Sequence, residues 1–185
     1  MKKNKLNIKF NLSLKLFLLI FLICISTLIG IIINSLKEET IKLEKYTSKD
    51  ISFTYDNNFE IINEKEYIEL VSSDEKASIV IKRMEYTITN QEKDKYEISN
   101  SLAFQVVKDN PNYIEIYNSN KNNIYYHLYE NYELKKQIEV INIFKDNSIY
   151  IIIYSADNNE FDLYKESIDI IVNSINNRWT YEEEK

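Results

Sequence analysis

A run of 21 residues without charge, from Leu16 through Leu36, constrains this chain more than any other feature of its sequence. As a helix rising about 1.5 Å per residue, the run would cover roughly 30 Å, which is the thickness of the hydrocarbon core of a bilayer. It has no polar face of the kind that a helix on the surface of a soluble domain shows. The run therefore predicts a transmembrane anchor over residues 16–36.

The residues around this anchor predict its orientation. All five charges in residues 1–15 belong to lysines, so these residues are expected to form a basic tail in the cytoplasm. A cleaved signal peptide is the main alternative, but no small-residue cleavage site follows the run. The one cysteine, Cys24, follows Ile23 in the middle of the run, which disfavours a lipoprotein. We predict a single-pass protein of the cell membrane whose C-terminal domain lies outside the cytoplasm.

The exported part of the chain is acidic. After residue 15 the sequence holds 18 basic and 29 acidic residues, and such a surface repels the phosphate backbone of nucleic acids. Because the exported part contains no cysteine, it can form no disulfide. The charge balance therefore predicts that nucleic acid is not a partner.

Seven segments rich in β-branched and aromatic residues predict strands. They lie near residues 51–55, 66–71, 77–84, 112–118, 123–131, 136–144 and 148–155. The last segment is apolar on both faces, so it is expected to be central and covered on both sides. These strands belong to a predicted domain over residues 51–177, with a tether over residues 37–50 before it and a frayed tail over residues 178–185 after it.

Two amphipathic patterns predict helices between and after the strands. The first has Thr89 as its expected N-cap and ends before Pro111. The second has an apolar stripe over residues 161–175, preceded by Asp157 and Glu160 at the spacing of a capping box. The order of elements predicts an α+β fold, an antiparallel β-sheet flanked by helices and preceded by one transmembrane helix.

The predicted domain contains no glycine, so asparagine and aspartate are expected to supply its turns. The segment Lys145-Asp146-Asn147, for example, predicts a tight hairpin between the last two strands. Without glycine the domain also has no P-loop and no dinucleotide-binding fingerprint.

Two phrases of the sequence resemble the PsbP-like family, which includes the extrinsic subunit of photosystem II and many short bacterial membrane-tethered proteins. The domain opens on Ile51-Ser52-Phe53-Thr54-Tyr55, like the family's opening "I-x-F-x-Y-P", with Asp56 in place of the proline. It closes on Ile170 to Ile175, like the family's final "I-x-x-S-I/F". The resemblance implies an α/β/α sandwich used as an interaction or assembly module, and it brings no catalytic residues.

The side chains that usually carry catalysis are scarce. The domain has one histidine, His127, so a Ser-His-Asp triad is conceivable only around it, and the usual zinc sites are excluded. Paired carboxylates suit glycoside hydrolysis, but with 29 acidic residues some pair will have that spacing by chance. Residues 157–162 hold oxygen ligands suited to calcium but lack an EF-hand pattern, and helix capping explains them. We predict no metal and no cofactor.

One strand carries the best candidate for a binding surface. Alternation along residues 124–131 places Tyr125, His127 and Tyr129 on one face, an aromatic surface suited to a sugar or a peptide. Tyr113 and Tyr117, on the preceding strand, would extend this surface if they share its face. The other interpretation is a sheet face covered by a helix.

These observations predict a membrane-anchored, extracytoplasmic interaction or assembly module without catalytic activity, with a membrane or envelope protein as its partner. The alternative is a small-ligand or glycan-binding domain that uses the tyrosine-rich sheet face. A carboxylate-based cell-wall hydrolase is a third and weaker hypothesis.

Overall fold

The structure is a computed structural model, and it describes residues 41–87 and 92–176. The nine strands, β1 to β9 in chain order, are Leu43–Thr47, Ser52–Asp56, Phe59–Asn63, Ile68–Ser72, Ala77–Glu85, Ile114–Lys121, Ile124–Asn131, Lys136–Lys145 and Ser148–Asp157. Helix α1 is Glu92–Val107, and a 3₁₀ turn, Phe161–Tyr164, leads into helix α2, Lys165–Asn176.

Seven strands form one antiparallel sheet in the order β3-β4-β5-β9-β8-β7-β6. Strand β9 is central, as predicted, with β5 on one side and β8 on the other. Strands β1 and β2 form a separate two-stranded sheet. The predicted antiparallel sheet with two helices is confirmed.

A core lies on each face of the seven-stranded sheet. The large core includes Phe53 of β2, Ile79 of β5, Ile141 of β8, Ile152 of β9 and Ile171 of α2. The small core lies under α1 and consists of Ala103, Val107, Tyr125, Tyr129, Val140, Phe144, Ile149 and Ile151. Because β9 contributes to both cores, its apolar side chains are covered on both sides.

Asparagine and aspartate supply two of the tight turns, as the lack of glycine predicted. Asn122 and Asn123 join β6 to β7, and Asp146 and Asn147 join β8 to β9, all with φ between 50° and 62°. These two residue types tolerate positive φ better than other non-glycine residues. Outside these pairs, Glu75 and Lys135 also have positive φ.

The predicted tether is partly wrong. The compact unit that contains the domain starts at Ile41, and Leu43–Thr47 pairs with Ser52–Asp56 as an antiparallel strand. Strand β3, Phe59–Asn63, was also not predicted. Four of the five residues of β1 are exposed, so its sequence lacks the apolar alternation that marks a half-buried strand.

The capping box predicted at Asp157 and Glu160 is wrong. Asp157 ends β9, and its backbone carbonyl, not its carboxylate, accepts the N–H of Glu160. The Glu160 carboxylate pairs with Lys76 at 3.1 Å. The N-cap predicted at Thr89, the anchor over residues 16–36 and the tail over residues 178–185 lie outside the described residues. Within the part of the chain that is described, no helix combines the length and the apolar character of a membrane span.

The opening and closing phrases of the domain are hydrogen-bonded to each other. The Thr54 N–H of β2 donates to Ser174 Oγ of α2 at 2.9 Å. Asp56 is buried, and its carboxylate accepts the Asn58 N–H at 2.9 Å and the Ser167 hydroxyl at 2.7 Å. Asp56 therefore forms the turn after β2 and holds α2 against that strand.

We expect Asp56→Ala to lower the free energy of unfolding by about 2–4 kcal/mol, because it leaves a buried hydroxyl and a backbone N–H without an acceptor. Asp56→Asn keeps one acceptor oxygen and should cost less, about 1 kcal/mol. Urea unfolding measures both values. The control is Asp50→Ala, which removes an exposed carboxylate and should change stability by less than about 0.5 kcal/mol. An equal effect of Asp56→Ala and Asp50→Ala would contradict the assigned role of Asp56.

Candidate functional site

His127 lies on β7 beneath helix α1, where its side chain joins the helix to the edge of the sheet. Its Nε2 is 2.9 Å from the Ser99 hydroxyl of α1, and its Nδ1 is 2.9 Å from Glu115 Oε1 of β6. Asn142 of β8 donates its Nδ2 to the Ser99 hydroxyl, also at 2.9 Å. One hydrogen-bonded series thus connects β8, α1, β7 and β6.

The direction of each hydrogen bond follows from the groups at the two ends. The Glu115 carboxylate can only accept, so His127 Nδ1 carries a proton and donates it. The Asn142 amide donates to Ser99 Oγ, which leaves the Ser99 hydroxyl hydrogen free to donate to His127 Nε2. This assignment satisfies every group with a neutral imidazole, except that Asn142 Oδ1 is buried without a partner.

A serine, a histidine and a carboxylate in this order have the connectivity of a hydrolase triad. A hydrolase needs its serine hydroxyl to be accessible to the substrate. Here the Ser99 side chain is buried, with 0% of the residue exposed. The end of the series that reaches the surface is Glu115, whose side chain is 37% exposed. In this conformation the Ser99 hydroxyl cannot contact a substrate, and the series positions α1 and Glu115.

A cleft of about 570 Å³ lies between α1 and β6, next to this series. We call it the aromatic cleft because four of its lining residues are Tyr96, Phe104, Tyr113 and Tyr129. Its other lining residues are Asn100, Val107, Lys108, Pro111, Glu115 and Asn118. One wall is a single face of α1, because three of the lining residues follow at every fourth position of this helix, Tyr96, Asn100 and Phe104, and Lys108 directly after the helix continues the series.

The structure divides the five predicted site residues among three places. Tyr113 and Tyr129 line the aromatic cleft. Tyr125 and His127 share the face of Tyr129, as predicted, but α1 covers them and leaves 2% and 1% of the residues exposed. Helix α1 therefore covers this face at Tyr125 and His127, and only Tyr129 of the three reaches the cleft.

Tyr117 does not share the face of the other tyrosines. A β-bulge between Glu115 and Tyr117 places Glu115 opposite Tyr129 but Tyr117 opposite Leu128. Leu128 packs against the large core, on the other side of the sheet. The extra residue in the bulge thus inverts the alternation that a regular strand would have.

Burial and the charge of Glu115 change the pKa values of two tyrosines in the cleft. Burial raises the pKa of Tyr129 to about 12, and the charge of Glu115 contributes to the rise. Burial also raises the pKa of Tyr113. Both tyrosines therefore stay protonated well above neutral pH. Within residues 41–87 and 92–176, no group of three His, Cys, Asp or Glu side chains is placed to hold a metal ion.

Large apolar side chains are exposed on β6 and on the elements beside it. Of the twelve that are exposed in the described part of the chain, seven lie on α1, on β6 or on the turn after β7. Six of these define what we call the β6 surface: Phe104, Ile114, Ile116, Tyr117, Tyr132 and Leu134. Strand β6 is an edge strand, so its outer backbone groups have no strand partner among the described residues.

The sequence alone does not predict Ser99, Phe104 or the role of Glu115 in this site. Ser99 and Phe104 lie five residues apart on α1, and neither stands out in a helix of mixed polarity. The only available signal was the spacing of Tyr96 and Phe104, which are two turns apart and so share a face.

The fold defines an α/β/α sandwich around an antiparallel sheet. The solution structure of cyanobacterial PsbP (CyanoP) from Synechocystis sp. PCC 6803 has a similar fold, with a TM-score of 0.54 and 11% sequence identity. The similarity covers 75% of this chain and 94% of that chain. It confirms the PsbP-like fold predicted from the two sequence phrases. No family model and no curated protein sequence matches the chain.

We expect Ser99→Ala to lower the free energy of unfolding by about 1–3 kcal/mol, because His127 Nε2 and the Asn142 amide lose their buried partner. Ser101→Ala, at an exposed position of the same helix, is the matched control and should cost less than about 0.5 kcal/mol. Urea unfolding followed by circular dichroism measures both. Equal values for the two variants would show that the series does not hold α1 in place.

We also expect the protein to lose stability as the pH rises from about 10 to about 12. In this range Tyr129 loses its proton in the unfolded chain but keeps it in the fold, so alkaline pH favours unfolding. Tyr129→Phe cannot ionise and should make the loss less steep. Midpoints of urea unfolding between pH 9 and 11.5 test this, and identical pH dependence in the two proteins would contradict it.

Proposed function

We propose that the chain is a membrane-anchored, extracytoplasmic interaction or assembly module without catalytic activity, and that the β6 surface is its contact face. The observation that carries the proposal is the exposure of three large apolar side chains, Ile114, Ile116 and Tyr117, on the free edge strand β6. Apolar surface of this kind commonly marks a protein contact site, and a free edge strand offers backbone groups for pairing.

The sequence supports the location of this module. Residues 16–36 are long and apolar enough for an anchor, and the lysines of residues 1–15 favour a cytoplasmic N-terminus. The partner is then a protein of the membrane or envelope close to the anchor. The acidic balance of the exported part argues against nucleic acid.

A small-ligand or glycan-binding domain is the second candidate. It is supported by the aromatic cleft, where Tyr113 and Tyr129 lie with Tyr96 and Phe104 in a concave site. We assign this candidate to the space between α1 and β6 and not to the sheet face that α1 covers.

Crosslinking followed by affinity capture from detergent-solubilised membranes tests the proposal. The full-length protein should stay in the membrane pellet after an alkaline carbonate wash and should capture a membrane or envelope protein. The double variant Ile114→Ser, Tyr117→Ser should reduce the recovery of that protein several-fold, because both side chains are more than half exposed on β6.

The matched control is the double variant Ile62→Ser, Leu163→Ser. These two side chains are at least as exposed but lie on β3 and on the 3₁₀ turn, away from β6. The control should capture the partner at the level of the unchanged protein. Equal losses in the two double variants, or no partner after crosslinking, would refute the β6 surface as a contact face.

A further inference from the structure

The aromatic cleft combines several aromatic rings with a carboxylate that a hydrogen bond holds in position. Tyr96 and Phe104 come from α1, Tyr113 precedes β6, and Tyr129 comes from β7. Residues from three parts of the fold thus line the same cleft. The face of an aromatic ring attracts a cation through its quadrupole.

Glu115 places a negative charge in this space. Its Oε1 accepts the hydrogen bond from His127 Nδ1, while its other oxygen has no hydrogen-bond partner among the described residues. The His127 ring is almost completely buried and is itself held by Ser99. The buried series therefore orients one carboxylate oxygen for a ligand in the cleft, and the other oxygen is already occupied.

The charges around the cleft favour a cation over an anion or a neutral sugar. Lys108 also lines the cleft and opposes a cation. Residues 41–176 as a whole hold 24 acidic and 15 basic residues, so the surrounding field is negative. A neutral sugar would use the rings but would leave the free carboxylate oxygen without a charged partner.

We propose that the aromatic cleft binds an organic cation, an alkylammonium or guanidinium group, between its rings and the Glu115 carboxylate. Two sources supply this chemistry, which are a lysine or arginine side chain of the partner protein and a free small cation. In the first case the inference rests on the proposed interaction function and names the side chain that its partner inserts. In the second case it corresponds to the small-ligand candidate.

Calorimetric titration of the full-length protein in a nonionic detergent tests the proposal with two pairs of probes. Nα-acetyl-arginine amide is compared with Nα-acetyl-citrulline amide, and choline with 3,3-dimethylbutanol, which has the same shape without the charge. At least one cation should bind about three- to tenfold more tightly than its neutral counterpart, as cation–π and charge contacts of this size imply.

Variants of the cleft should change the affinity in opposite directions. Glu115→Gln removes the charge and Phe104→Ala removes an exposed ring, so each should weaken cation binding about two- to fivefold. Lys108→Ala removes the opposing charge and should strengthen it. Phe104 is 64% exposed, so its variant tests the cleft without disturbing either core.

The controls are Glu133→Gln and Lys121→Ala, which change charges near β6 that do not line the cleft. Both should leave the affinity within about twofold. Neutral analogues that bind as well as the cations would overturn the proposal. So would affinities that are unchanged in both Glu115→Gln and Phe104→Ala.

The source of the cation follows from the capture experiment. Loss of the captured partner in Phe104→Ala and competition by Nα-acetyl-arginine amide would identify a partner side chain. Choline binding together with undiminished capture would identify a free cation. If the β6 surface variant loses its partner but no cationic probe binds, the interaction function stands and the cleft inference fails.

Discussion

The structure depends on the requirement that a strand with two apolar faces be covered on both sides. Strand β9 provides this constraint, because Ile149 and Ile151 face one core while Ile152 and Tyr154 face the other. One cover is α2 with the small sheet of β1 and β2, and the other cover is α1. The Tyr154 hydroxyl, which would be costly to bury alone, donates to the Phe161 carbonyl at 2.6 Å. This hydrogen bond therefore ties the start of the 3₁₀ turn after β9 to the core that β9 helps to form.

The two covers are held in different ways. Helix α2 buries Ile168, Ile171, Val172 and Ile175, and the hydrogen bonds of Ser167 and Ser174 to β2 add to this apolar contact. Helix α1 completely buries only small side chains, Ser99 and Ala103, and it relies on the polar series through His127 for its position. A buried polar series of this kind requires an almost complete set of partners, and so it tolerates few alternative placements of the helix. His127, the residue that the sequence singled out for possible catalysis, therefore has a structural role in positioning α1.

Sequence patterns predicted what local periodicity controls and missed what tertiary contacts control. The alternation of Tyr125, His127 and Tyr129 and the double-sided burial of the last strand were correct because a strand has a fixed period of two. The face of Tyr117 was wrong because a bulge inserts one residue, and nothing in the residues around Ile116 marks it. Strand β1 was missed because its exposure removes the apolar signal, and the capping role of Asp157 failed because β9 runs two residues longer than expected.

The cleft lies where helix α1 no longer covers the sheet. Helix α1 packs on β7 and β8 but ends before Pro111, so it stops short of covering β6. Beside the helix, the sheet face that α1 covers elsewhere is left open at β6. The side of α1 that faces away from the core borders the same space. Part of the cleft lining, namely Phe104, Tyr96 and the free oxygen of Glu115, therefore lies outside both cores. The similarity to CyanoP, at 11% sequence identity, concerns the fold alone. The side chains that line the cleft belong to this chain, and its function has to be argued from them.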